Sequence, residues 1–389
     1  MNLTAIQQAI RDEGLDGWLF FDHHRRDPLA YSVLRFEIPG IVSRRWYYFV
    51  PAEGEPRKLV HRVESHHLDS LPGGKVAYSS WDEQTSGIAA MLRGAKRIAM
   101  QYSPNCAVPY VAMVDAGTVE LVRSSGVEIV TSADLIQYFE ARWTQEQLES
   151  HLEAGKLVDG VRRDVFRLIG ERIRANAPMT EWEAQQFIAD QFRARGLYTD
   201  HGPNVSVDAN ASNPHYEPQA DTSARIKDGD TVLIDLWAKL DRPGSVYYDV
   251  TWMGFCGSTP PSALENIFAI VKEARDRAIQ KVQQAVSAGE ALRGFEVDDA
   301  ARAYIREQGY ADEFFHRTGH SIGTEVHGAG ANMDNLETHD ERRVIPWTCF
   351  SIEPGIYLPE FGVRSEVNMF VGESSARVTG EIQERLVLV

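Results

Sequence analysis

Four acidic residues in the second half of this sequence stand where acids are unusual: Asp235 in VLIDLW, Asp249 in YYDVTW, Glu353 in FSIEPG and Glu366 in VRSEVN, each inside an apolar run. An ionised carboxylate in such surroundings is costly unless a cation pairs with it. Taken singly, each reads equally well as an edge-strand or loop acid, but their clustering in one half of the chain points to a shared cationic partner. Divalent ions such as Mn²⁺ favour carboxylate and imidazole ligands, and a close pair of ions needs carboxylates that bridge them and neutralise their charge. Imidazole candidates lie among the acids in RTGHSIGTEVHGAG, a Gly-rich, turn-prone stretch that holds His320 and His327 and lets backbone approach a site closely. Four carboxylates and one imidazole could hold a metal pair, and such a pair activates water and polarises a carbonyl for hydrolysis.

These residues need a sheet to carry them. Thr231-Trp237, Val246-Phe255, Cys349-Glu353 and Val363-Val371 are rich in β-branched and aromatic residues and are bounded by Gly, Pro or Asp, which predicts strands. From Thr144 onward, helical spacing of apolar residues predicts a long amphipathic helix of some thirty residues. Thr180-Glu-Trp-Glu183 is a capping box that opens a second helix, and Gly196 stops it. Further helices are expected at 261–287, led by Pro260-Pro261, and at about 297–308. Before residue 140 the pattern is different, with a helix at 3–13 and strands at Asp16-Phe21, Trp46-Val50 and Arg97-Met100. A chain of 389 residues exceeds what one core usually organises, so a small α/β domain at 1–140 and a larger domain at 141–389 are expected.

A formal net charge of -16 argues against nucleic acid or an anionic membrane as partner, because either would be repelled, while it suits cation binding. No run of eighteen apolar residues occurs and the first residues are amphipathic and charged rather than a signal peptide, so a cytosolic (cytoplasmic) location is expected. Cys106, Cys256 and Cys349 are widely spaced and lack a CxxC pattern, which predicts buried free thiols rather than disulfides or a thiolate zinc site. The pairs His23-His24 and His66-His67 would point to opposite faces of a strand and so do not read as metal sites. Trp237, Trp252, Tyr247 and Tyr248 read as packing.

Taken in order, Asp235, Asp249, His320, Glu353 in Ile-Glu-Pro-Gly and Glu366 two residues after Arg364 resemble the pita-bread metallopeptidase family, which includes prolidase, aminopeptidase P, methionine aminopeptidase and the non-metallic creatinase. The motifs cover roughly 200–370 and the layout the whole chain. The resemblance implies an α/β (α+β) fold, with a small creatinase-like N-terminal domain before a pita-bread catalytic domain. It implies that the five residues hold two divalent metal ions, manganese first and cobalt or zinc as alternatives. Glu353 would then shuttle a proton as base and acid. His327 and His215, the latter in Asn213-Pro-His-Tyr216, would donate hydrogen bonds to the substrate carbonyl. Tyr357 would hydrogen-bond near that carbonyl or simply pack, and Arg364 would pair with the product carboxylate, brace Glu366 or form an ordinary strand salt bridge.

The implied activity is hydrolysis of the Xaa-Pro bond in dipeptides by a metal-activated hydroxide, in a homodimer whose His23-Asp27 segment reaches a neighbouring active site. Alternatives are an aminopeptidase acting on longer peptides and, in another class, a non-catalytic metal- or peptide-binding module. The chain departs from the family pattern at Thr251-Trp252-Met253, where Thr-Arg-Thr is common, and at Gly328-Ala-Gly-Ala331, which lacks an arginine some prolidases carry. The loop between Asp235 and Asp249 is also about three residues longer than usual, and such changes alter the hydrogen bonds around metal ligands.

Overall fold

The apolar runs of the first 140 residues pair into one six-stranded sheet: β1 (Gly17–Asp22), β2 (Trp46–Pro51), β3 (Arg57–His61), β4 (Gly74–Tyr78), β5 (Arg97–Met100) and β6 (Glu128–Thr131), in the order β4-β3-β2-β1-β5-β6. The computed structural model describes residues Met1–Val389, and the chain divides into two compact units, Met1–Glu140 and Ala141–Val389. In the first unit β1 and β2 are buried along their whole length because helices cover both faces of the sheet. Trp18, Phe20, Trp46 and Tyr48 face α1 (Leu3–Asp12), α2 (Pro28–Leu34) and α5 (Ala133–Glu140). Leu19, Phe21, Tyr47 and Phe49 face α3 (Trp81–Met91) and α4 (Ala116–Arg123).

The second unit is built from two helix-on-sheet halves. In the first half α6 (Gln145–Arg174) and α7 (Glu181–Ala194) cover a sheet of β7 (Leu197–Tyr198), β8 (Asn204–Val207), β9 (Thr231–Leu240), β10 (Tyr248–Phe255) and the late strand at Val387–Leu388. Thr144 and Thr180 cap these helices through reciprocal side-chain and backbone hydrogen bonds with Gln147 and Glu183, as the capping boxes require. In the second half α8 (Ser262–Ala288) and α9 (Gly294–Glu307) pack on β11 (Ser321–Ile322), β12 (Thr348–Ile352), the hairpin β13 (Gly355–Tyr357) and β14 (Gly362–Arg364), β15 (Val367–Val371) and β16 (Ala376–Thr379), with Val387–Leu388 completing the count as β17. The second sheet runs β11-β12-β15-β16.

Several expectations change. The run Val363-Val371 is two strands, β14 and β15, because at its centre the Glu366 N–H leaves the sheet to donate to the Thr251 carbonyl of β10 at 3.2 Å. β12 ends at Ile352 rather than Glu353, whose N–H turns to the Thr318 carbonyl at 2.7 Å, while Pro354 has no N–H to continue the ladder. Cys256 and Cys349 are buried free thiols, but Cys106 is exposed in a short turn. The histidine pairs lie in turns, not strands, with rings 4.1 Å apart for His23-His24 and 5.0 Å for His66-His67. No helix is long and apolar enough to cross a membrane.

Candidate metal centre

β9 and β10 pair antiparallel with Asp235 opposite Thr251 and Trp237 opposite Asp249, so the pleat places Asp235, Asp249 and Thr251 on one face. The opposite face, with Ile234, Leu236 and Val250, packs into the core under α6 and α7. Asp249 is pinned from both sides by Asn368 of β15, which accepts from its N–H at 3.1 Å and donates to its carbonyl at 2.6 Å. Glu366 enters beside β10 and accepts from the Thr251 hydroxyl at 2.8 Å. His320 precedes β11 and its N–H donates to Ser351 Oγ at 2.9 Å, while the same hydroxyl donates to Glu353 Oε1 at 3.0 Å. Both halves of the unit therefore send side chains to one point.

Ligand atoms of Asp249, His320 and Glu366 converge within 4.8 Å of one another, all buried. His320 Nε2 lies 3.5 Å from Asp249 Oδ2 and 3.4 Å from Glu353 Oε1. Its Nδ1 is 3.1 Å from the Ser321 carbonyl, an acceptor only, so Nδ1 carries a proton and Nε2 is the ring nitrogen that faces the acids. Asp235 is turned away from this trio toward Arg364, whose Nη2 donates to Oδ2 at 2.5 Å. Arg364 also donates from Nε to Thr251 Oγ1 at 3.0 Å and from Nη1 to the Tyr357 hydroxyl at 3.2 Å, and its Nε lies 3.9 Å from Glu353 Oε2. Of the roles expected for Arg364, the strand salt bridge is present, but its partner is Asp235 and not Glu366, which it reaches only through Thr251.

Crowding of acids in a buried place sets the electrostatics. Burial first, and then the charges of Asp249 and Glu353, push the Glu366 carboxyl well above the usual range. Burial likewise raises Asp249, and raises Asp235 to about 7 even though Arg364 pulls the other way. Glu353 goes down instead, because His320, Arg364 and His316 outweigh the burial that would raise it. His320 is raised, the pull of Asp249 and Glu353 exceeding the burial that opposes its charge.

The remaining expected residues divide. His327 lies edge-on to His320 with ring centroids 4.4 Å apart. Tyr357 is buried and hydrogen-bonded to Arg364. His215 is exposed in the turn after the 3₁₀ segment Asp208–Ser212, its backbone N–H donating to Asn213 Oδ1 at 3.1 Å, and no hydrogen bond joins its ring to the acids. The residue that sequence reading missed is His316. Its Nδ1 lies 2.7 Å from the Arg317 carbonyl and must donate there, which leaves Nε2 to accept from the Tyr357 hydroxyl at 2.7 Å. Burial holds this ring neutral, its pKa pushed down to about 4. Its place four residues before His320 in HRTGH was the available signal, but only the Tyr357 contact, 41 residues on, gives it meaning.

The donor set fits divalent metal. Asp249 Oδ1 and Glu366 Oε1 are buried and meet no hydrogen-bond donor, which a folded protein tolerates rarely and usually for a cation or water. Oxygen and imidazole ligands without thiolate suit manganese-like ions.

Comparison with known proteins agrees with this chemistry. The model of Metallopeptidase family M24 matches residues 149–373. An Xaa-Pro dipeptidase of Pyrococcus furiosus is 34% identical over 164 residues, covering 42% of this chain and 43% of the relative. A putative Xaa-Pro aminopeptidase of Mycoplasma pneumoniae is 31% identical over 194 residues, covering 47% and 48%. Each match therefore spans less than half of the relative's length. The crystal structure of dipeptidase PepE from Mycobacterium ulcerans superposes with a TM-score of 0.68 at 23% identity, covering 100% of this chain and 96% of the other, which shows a shared fold.

Proposed function

The chain belongs to metallopeptidase family M24, and on that premise we propose that it hydrolyses the Xaa-Pro bond of dipeptides at a site for two divalent ions formed by Asp235, Asp249, His320, Glu353 and Glu366. The observation that carries the reading is the convergence of Asp249, His320 and Glu366 with two carboxylate oxygens that have no donor. Bound there, the ions would supply Lewis acidity and an acidified water. Glu353 is the proton carrier in this reading. Its lowered pKa favours the base form, and the Ser351 hydroxyl holds one oxygen while the other stays near Arg364. His327, beside His320 and open to solvent, donates to the substrate carbonyl. His215 does the same if the turn at 213–216 brings its ring to bound substrate. Tyr357, fixed by Arg364 and His316, would hydrogen-bond near that carbonyl.

Manganese as the ion, a homodimer as the assembly and the cytosol as the location belong to the same proposal. The all-oxygen-and-imidazole donor set supports the first, the family resemblance the second and three free cysteines the third. An aminopeptidase is the second reading, favoured by the Mycoplasma pneumoniae relative. The experiment that tests the proposal is hydrolysis of Ala-Pro beside Ala-Pro-Ala by Mn²⁺-loaded and chelator-treated protein, with free amino acids quantified. Metal-dependent cleavage of the dipeptide alone is expected. Cleavage of the tripeptide would give the aminopeptidase, and tight Mn²⁺ binding without cleavage of either would make the chain a binding module.

A further inference from the structure

Behind the metal centre, on the other face of β10, lies a cavity of about 390 Å³, within the roughly 300–1,000 Å³ range of small-molecule sites. Strand alternation puts Asp249 and Thr251 on one side of β10 and Trp252 on the other, where it meets α6. The cavity is walled by Arg162, Arg163, Arg167 and Arg174 of α6, by Trp252 and by Glu381, with Phe166, β17 and Val389 closing its apolar side. Four arginines and one glutamate line the cavity, and Asp159, Asp164 and Glu171 pair with the arginines from beside it.

These acids reach three of the four arginines. Arg162 is 1% exposed, and its Nη2 reaches Glu381 at 2.6 Å and Asp159 at 3.4 Å. Its Nε and Nη1 are buried and meet no acceptor, while the guanidinium lies 3.3 Å over the Trp252 ring. Leaving N–H groups of a buried cation without an acceptor is expensive, and native proteins seldom do it without a ligand or water to complete them. Arg163 pairs with the same Glu381, and Arg167 with Asp164 at 2.8 Å. Arg167 also lies 3.7 Å from Glu171, whereas Arg174 lines the cavity with no ion pair.

We propose that this cavity binds a small organic anion, its phosphate or carboxylate group taken by Arg162 and Arg174 and its apolar or planar body resting on Phe166, Trp252 and Val387. Guanidinium forks match both oxyanions, and an arginine already stacked on an indole keeps its in-plane N–H groups for a ligand. The site is independent of the peptidase reading, because none of these side chains takes part in the acid cluster.

The test is calorimetric titration of the Mn²⁺-loaded protein with phenyl phosphate, benzoate and inorganic phosphate at physiological salt, repeated on Arg174→Ala and Arg162→Met. Arg174 is exposed and unpaired, so its variant keeps the fold, and it lies outside the acid cluster, so its effect separates this cavity from anion binding at the metal centre. Phenyl phosphate or benzoate should bind with Kd below about 1 mM and lose roughly ten- to hundredfold in Arg174→Ala, as loss of one charge-assisted hydrogen bond implies. Whichever of the two binds tighter identifies the headgroup. Absence of binding by both, or binding equal in parent and variants, would overturn the proposal. Inorganic phosphate binding as tightly as phenyl phosphate would overturn the role given to the apolar wall.

Discussion

Glu353 and Glu366 sit in one acid cluster and yet are held in opposite states, which makes them the residues to test. Glu353 is kept ionised by His320 and Arg364, so Glu353→Ala should lower turnover by at least about a hundredfold, as removal of a general base does, with the far-ultraviolet circular dichroism unchanged. More than about a hundredth of the parent rate would remove it from the mechanism. Glu366 is pushed toward its neutral form by burial and by Asp249 and Glu353. Glu366→Gln should therefore leave the chelator-treated protein as stable as the parent or more so, while the rise in Tm caused by Mn²⁺ shrinks. Equal Mn²⁺ stabilisation of parent and variant would mean that Glu366 is not a ligand.

Single contacts between elements decide where these side chains arrive. Gly319, next to His320, has no room for a side chain: a Cβ there would lie 1.9 Å from the Ser351 carbonyl oxygen. Because Ser351 is itself tied to the His320 carbonyl, neither backbone can give way. Gly319→Ala should cost about 2–4 kcal/mol in urea unfolding and displace His320, abolishing the Mn²⁺ effect on Tm. Elsewhere the first helical residue of α7, Glu181, is fully buried and accepts from Val207 N, Asn210 Nδ2, Tyr216 Oη and Ala224 N. One carboxylate thus holds both ends of the irregular segment that carries His215. Glu181→Ala leaves those donors unmet, so limited proteolysis should cut within 208–224 at least about tenfold faster than in the parent, given roughly 1–3 kcal/mol per unmet buried group. Unchanged cleavage would show that the segment is held by other contacts.

At the scale of the whole molecule, stability and acidity are linked through buried imidazole. His151 of α6 is completely buried between the Tyr247 carbonyl and the Thr379 hydroxyl, each 2.6 Å away, and burial pushes its pKa down to about 4. The unfolded chain takes up this proton near pH 6.5 and the folded chain only near 4, so stability is full above about pH 6.5 and falls between 6.5 and 4. The contribution is about 3 kcal/mol, and His151→Gln should flatten that part of the pH–stability curve by a similar amount. A curve as steep as the parent's would assign the acid sensitivity to other groups.

The sequence by itself determined most of the elements and picked out Asp249, His320 and Glu366, which converge, among its candidate ligands. Periodicity in α6, the capping boxes at Thr144 and Thr180, and acids set in β-branched runs are written within a few neighbouring residues, where local backbone preference and side-chain spacing act. Only the tertiary structure decided which groups meet. It gave Arg364 to Asp235, 129 positions away, and joined His316 to Tyr357. It left His215 in an exposed turn and stacked Arg162 on Trp252 behind the site. Such pairs depend on which strands share a sheet and which face each side chain takes, and no local preference encodes that.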